Sequence, residues 1–349
     1  MHWAIHPWAI YAVSALAVGF FAYRHAAPLS PSAPLHGLRE SKDRLAFRVI
    51  DWIALVAVLF GVVASIGQGV FQMAAGAHEI AGLAEPDSIG LQLGILVILD
   101  AVYLASAAGG LARGIKPLSD LNMALCIALM AFVFIAGPTD AILAVLGDTA
   151  LAYAKNFATF SFDLGALREN EAWARDWTLT YLLWWIAWGP FVGVFVARIS
   201  RGRTLRTFVL GVVLAPSLFS IVWFSIFGGA ALDAQLAQGI DLGVASFETA
   251  PMASYVMLDQ LPWAAATKVA AFALIFIFLV TSADSGAYVL GMFSSGGQAR
   301  PGVAERLFWG LVLAGLATGA VLSGDGPGDS HRAGDPLALP RKNGAGRQA

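Results

Sequence analysis

Between residues 4 and 323 the chain passes through eight apolar stretches, each about long enough to cross the hydrocarbon core of a bilayer. They fall at about 4 to 23, 49 to 70, 89 to 110, 119 to 137, 178 to 197, 207 to 228, 265 to 288 and 306 to 323. In hydrocarbon the backbone must satisfy its own polar groups, so stretches of this length are read as helices. With 58% hydrophobic and 13% charged residues and a mean hydropathy of +0.72, an ordinary soluble domain is excluded. The expected fold is an all-α polytopic membrane protein. Met1 to Tyr23 has neither a basic n-region nor a small-residue cleavage pattern, so it reads as a span rather than a signal peptide.

Assigning the loops alternately to the two faces places thirteen Lys and Arg residues on one side, Arg24, Arg198, Arg201, Arg203 and Arg206 among them. The other side holds four, Lys155, Arg168, Arg175 and Lys268, leaving the C-terminal segment aside. The rich face is cytoplasmic by the positive-inside rule, which puts both ends of the chain outside. Two outer connections, Pro138 to Trp177 and Gly229 to Ala264, mix apolar and polar residues and predict helices lying along the interface, one ending at Asp259-Gln260-Leu261-Pro262. Residues 1–323 thus form a transmembrane domain. Residues 324–349, rich in Gly, Pro, Ala and Arg, read as a disordered tail, either natural or translated in a shifted frame.

Net charge −2 advertises no nucleic-acid partner. A single cysteine, Cys126 within an apolar run, excludes an internal disulfide framework and a Cys-rich metal site. No nucleophile, base or metal constellation marks an enzyme, and no cofactor is implied.

Aromatic residues carry the remaining signal. In DWTLTYLLWWIAWGPFVGVFVARISRGRT, Trp184, Trp185 and Trp188 stand before Gly189-Pro190, where a helix break would free backbone groups beside a cavity. A tetraalkylammonium ion has no N–H to donate, so the face of a Trp or Tyr ring is its natural neutral partner. In HWAIHPWAIYA, Trp3, Trp8 and Tyr11 fall on one side of a helix drawn at about 100° per residue. An aromatic belt at the outer interface explains the same pattern, and His2 and His6 read as interfacial. FIFLVTSADSG puts Thr281, Ser282, Asp284 and Ser285 at the end of an apolar span, where hydroxyls and loosened carbonyls are hard oxygen ligands suited to Na⁺, with hydroxyl back-bonding to the helix as the competing explanation. Asp100, in mid-span, is either a proton site or a hydrogen-bonded structural carboxylate.

WWIAWGPFVGVFVARISRGRTLRTFVLGVVLAP closely resembles the signature of the betaine/choline/carnitine transporter family. HWAIHPWAIYA, ARGIKPLSDLNM, IAGPTDAIL, LDQLP and VTSADSGAYVLGMFS resemble further family segments in the family's order, so the resemblance covers Met1 to Leu322. It implies an incomplete version of the two inverted five-helix repeats of sodium-coupled transporters, beginning at the family's fourth span and ending after its eleventh. The absent first-repeat helix would carry a glycine-rich stretch of the substrate and sodium sites.

Carried over by motif, Trp3, Trp8, Tyr11 and Trp185 resemble the aromatic box for a trimethylammonium group, with Trp184 and Trp188 beside it. Phe278, Thr281 and Ser282 resemble half of one sodium site. Phe191 matches a phenylalanine of a second, but Val58 and Val62 stand at its threonine positions and cannot coordinate Na⁺. Thr180 and Leu182 occupy positions where the family usually has aromatics, which implies a different outer gate or substrate preference. The arginines after Ile199 resemble a connection that communicates with a charged regulatory tail, which is not recognisable here.

The resemblance implies a symporter of the bacterial inner membrane that takes up glycine betaine, choline or carnitine as osmolyte or nutrient, coupled to Na⁺ or H⁺, often as a homotrimer. An inactive or merely interacting remnant, or a proton-coupled or exchanging member, is the alternative.

Overall fold

The computed structural model describes residues 2–37, 44–109, 115–162, 174–242, 250–298 and 300–323. The tail expected at 324–349 and parts of both outer connections lie outside the described residues. The principal helices are α1 (Ile5–Arg24), α2 (Arg44–Ala81), α3 (Ile89–Gly109), α4 (Ile115–Ala136), α5 (Thr139–Phe162), α6 (Thr180–Ile199), α7 (Leu205–Leu236), α8 (Ala253–Leu258), α9 (Ala264–Ser294) and α10 (Val303–Ser323). All except α5 and α8 are long and apolar enough to span a membrane, eight among the described residues, and these residues contain no strand. The fold is all-α and polytopic.

Helix ends depart from the apolar windows because hydropathy marks the membrane core, whereas propensity and packing extend the helix. The 38 residues of α2 run on through QMAAGAHEIA, whose Gln, Met, Ala and Glu are good helix formers. At 1.5 Å per residue α2 is about 57 Å long, well beyond a core of about 30 Å, so it tilts or projects into the interface.

Two clusters organise the bundle. In the first, Val58, Val62, Ile66 and Val70 of α2 are buried with Leu279, Val280, Ala283 and Ala287 of α9. Lipid tails are as apolar as leucine, so van der Waals packing drives this association and small residues permit it. Gly286 lies so close to Val62 that a Cβ would sit 3.1 Å from its methyl group, and Leu279 covers Gly69. Tyr103 of α3 donates to the Gly310 carbonyl of α10 at 2.7 Å. The second cluster joins Leu129 and Val133 of α4, Ile142 of α5, and Ile226 and Ala230 of α7.

Both outer connections contain helices, α5 and α8, as their mixed composition predicts. Ile142 of α5 packs onto Gly229 of α7, and α8 ends at Leu258 with Asp259 as its cap. Lys268, in the second turn of α9, reaches Asp259 at 2.7 Å and holds this corner together.

The arginine asymmetry gives the orientation a direct test. In a Cys126→Ser background, Ser200→Cys is expected to label only from the cytoplasm and Ala237→Cys, beyond the far end of α7, only from outside. Labelling of both from one face overturns the eight-span arrangement.

Candidate functional site

Pro7 sets where the site begins. Proline lacks a backbone donor and is favoured in the first helical turn, and α1 starts two residues before it, at Ile5. Trp3 therefore precedes the helix, and the helical-wheel expectation for Trp3, Trp8 and Tyr11 is corrected. Trp8 and Tyr11 meet edge to face at 5.6 Å, whereas Trp3 turns to α6 and meets Tyr181 edge on at 5.1 Å.

A π-helical turn, Ala174–Leu179, leads into α6. Trp177 within this turn and Tyr181 and Trp185 of α6 recur at four-residue spacing, and this places them along one side. Tyr181 is the hub, with ring centroids 6.0 Å from Trp177, 6.2 Å from Trp184 and 6.3 Å from Trp185. His2 stacks on Tyr181 at 5.2 Å, lies 6.2 Å from Trp185 and is hydrogen-bonded through Nε2 to Thr178 Oγ1 at 3.0 Å. Burial lowers the His2 pKa below its ordinary value, which favours a neutral ring. Tyr181 is legible in the sequence as the middle of an aromatic stripe at four-residue spacing, Trp177, Tyr181 and Trp185, a signal that the tryptophans alone do not carry.

The break expected at Gly189-Pro190 is absent: α6 is helical from Thr180 to Ile199 with Pro190 inside it. Contact with α1 supports this stretch. Ser14 donates to the Gly189 carbonyl at 3.0 Å, Gly193 is pressed against Ser14, and Tyr23 donates to the Ala197 carbonyl at 3.1 Å. The indole Nε1 atoms of Trp185 and Trp188 are both buried with no hydrogen-bond partner.

Below the ring cluster, Trp188 meets Phe191 edge to face at 5.1 Å. Both line a cleft of about 210 Å³ with Phe195, Ser119 of α4, and Thr281, Ser282 and Ser285 of α9. The structure thus brings the hydroxyls expected to hold Na⁺ to the same cleft as Trp188 and Phe191. Thr281 Oγ1 donates to the Phe278 carbonyl at 3.0 Å, the back-bonding alternative, and the Phe278 side chain is 60% exposed. Val58 and Val62 are each 1% exposed in the apolar core.

Asp284 belongs elsewhere. Thr281, Ser282 and Ser285 share an arc of about 100° on α9, and Asp284 lies outside it. Its Oδ2 accepts from Ser106 of α3 at 2.5 Å, and the residue is 1% exposed. It ties α9 to α3 instead of joining the hydroxyls of the cleft. Asp100 Oδ1 is buried with no hydrogen-bond partner.

A helical membrane bundle with an aromatic cluster above a hydroxyl-lined cleft has the makings of a transport protein rather than an enzyme. Sequence comparison makes the assignment specific: residues 1–328 match the model of the BCCT, betaine/carnitine/choline family transporters, and the chain belongs to that family. It is 38% identical over 325 residues to glycine betaine transporter OpuD of Bacillus subtilis, covering 93% of this chain and 62% of that protein. Glycine betaine transporter 1 of Vibrio parahaemolyticus is 36% identical over 317 residues, covering 90% of this chain and 60% of the relative. A glycine betaine/proline/choline transporter of the same organism is 37% identical over 328 residues, covering 93% and 58% respectively. The chain therefore spans about three fifths of the length of these relatives. Its apolar helices and bacterial relatives are those of a multi-pass inner-membrane protein.

Proposed function

We propose that the protein carries quaternary ammonium compounds of the glycine betaine, choline or carnitine type across the membrane by alternating access, as part of osmolyte or nutrient uptake. The observation that carries this reading is the ring cluster centred on Tyr181, between the start of α1 and α6. Each desolvated ring face contributes about 2 kcal/mol toward a cation that cannot donate a hydrogen bond. Trp3, Tyr181 and Trp185 would hold the onium group, with Trp8, Tyr11, Trp184 and Trp188 along its path. The two buried, unpartnered indole N–H groups add a second argument. An unsatisfied buried donor costs about 1–3 kcal/mol, and the carboxylate of a zwitterionic substrate would relieve that cost. The names of the relatives, glycine betaine and glycine betaine/proline/choline transporters, point to the same substrate class.

Transport would draw on an ion gradient, with assembly as a homotrimer. Thr281, Ser282 and the Phe278 carbonyl would serve one Na⁺, with Phe191 nearby. The apolar burial of Val58 and Val62 favours no second sodium, and it also supports a second reading in which H⁺ coupling or substrate exchange replaces sodium. In proteoliposomes the protein is expected to accumulate radiolabelled betaine or choline with a sodium Hill coefficient no greater than about one. A coefficient near two means that a ligand set outside these residues operates. Absence of onium transport or binding overturns the substrate assignment.

A further inference from the structure

We propose that His2 is itself a substrate-site residue: its neutral ring lines the aromatic cluster, whereas its imidazolium occupies the ring faces a quaternary ammonium needs, so that proton and substrate exclude one another. The inference rests on the onium site proposed above. His2 stacks nearly parallel on Tyr181, the hub of the cluster, at 5.2 Å and 26°, and lies 6.2 Å from Trp185. Its bond to Thr178 Oγ1 fixes the ring in this position from the α6 side.

Protonation changes this arrangement in two ways. The imidazolium gains the cation–π attraction that Tyr181 would otherwise offer the substrate. It also places a positive charge within the ring cluster proposed to hold the onium group, 6.2 Å from the Trp185 ring. Two unit charges about 6 Å apart, at the effective dielectric of a protein surface, repel by roughly one to two powers of ten in affinity.

Among the groups that act on His2, the amino terminus and His6 each oppose its protonation by charge repulsion. On α1, His6 lies one turn on, where Ser161 and Tyr153 of α5 contact it at 2.8 and 3.3 Å. On α6 the facing titratable group is Tyr181. Because burial already favours the neutral His2 ring, the loss of affinity belongs on the acid side of the ordinary histidine range, below about pH 6.5. Linkage requires the converse: bound substrate must push the His2 titration to still lower pH by the same factor.

The test measures equilibrium binding of radiolabelled choline to the protein in lipid nanodiscs at about pH 8 and about pH 5, together with NMR titration of the His2 ring. The unaltered protein should bind about tenfold more weakly at the lower pH. His2→Gln, which can keep a hydrogen bond to Thr178 but cannot ionise, should show a change below about twofold, whatever its absolute affinity. His6→Gln should retain the tenfold change. Saturating choline should shift the His2 titration about one pH unit toward acid, equivalent to that tenfold factor. PH-independent binding by the unaltered protein, an undiminished slope in His2→Gln, or a His2 titration indifferent to bound choline overturns the proposal while leaving the aromatic site standing. No choline binding at either pH overturns the aromatic site and this inference with it.

Discussion

Trp185→Leu is expected to weaken choline or betaine binding about 5- to 30-fold, or about 1 to 2 kcal/mol. Trp185 is 5% exposed and stacks against Tyr181 at 6.3 Å, so it contributes both an apolar wall and a ring face. Leucine retains part of the wall but removes the quadrupole that a cation reads. Trp185→Phe keeps an aromatic face and should cost less. Tyr181→Leu should cost about as much as Trp185→Leu, because Tyr181 is the ring on which His2, Trp3, Trp184 and Trp185 converge. Equilibrium binding of the radiolabelled ligand decides the matter. Equal affinity in Trp185→Leu and the unaltered protein sinks the cation–π site, since volume alone would then explain binding.

The second large effect belongs to the contact that holds the two halves of the site together. Gly193→Leu should lower the apparent melting temperature by about 5 to 10 °C and abolish choline binding. A Cβ at Gly193 would collide with the Ser14 hydroxyl, lie 2.9 Å from Ser14 Cβ and approach the Ser14 backbone carbonyl carbon to 3.2 Å. Backbone cannot step aside as a flexible side-chain tip can, so α1 must move away from α6. Trp3 would then lose its place against Tyr181. Gly315→Leu is the control: that glycine lies on α10 with open space where a Cβ would go, and its substitution should leave the melting temperature unchanged. If both variants melt alike, the α1–α6 contact does not have the role assigned to it.

Much of this architecture was legible without coordinates because bilayer chemistry is strict. A run of about 20 apolar residues must form a helix, so the spans and the polytopic class followed from hydropathy. The site was legible only by residue type. Trp3, Trp8, Tyr11, Trp184, Trp185 and Trp188 were recognisable as a set, but the position of each ring depended on details that spacing does not encode. Trp3 left the helical wheel because α1 starts at Ile5, with Pro7 in its first turn. Pro190 did not break α6, where Ser14 of a neighbouring helix reaches the adjacent carbonyl of Gly189. Asp284, three residues from Thr281, turned to Ser106 because helical periodicity sends it to another face.

The amino-acid sequence by itself determined the membrane class, the eight spans and the family, since each depends on local composition or on an ordered string of motifs. Tertiary structure alone decided that Tyr181 is the hub of the rings, that His2 stacks within them, and that Thr281 and Ser282 share a cleft with Trp188 and Phe191. These contacts join residues up to 179 positions apart, as Tyr181 and His2 are, and no local pattern specifies which faces of two distant helices meet. That choice is made by the fit of small residues such as Gly193 and Gly286 against the helices that cross them.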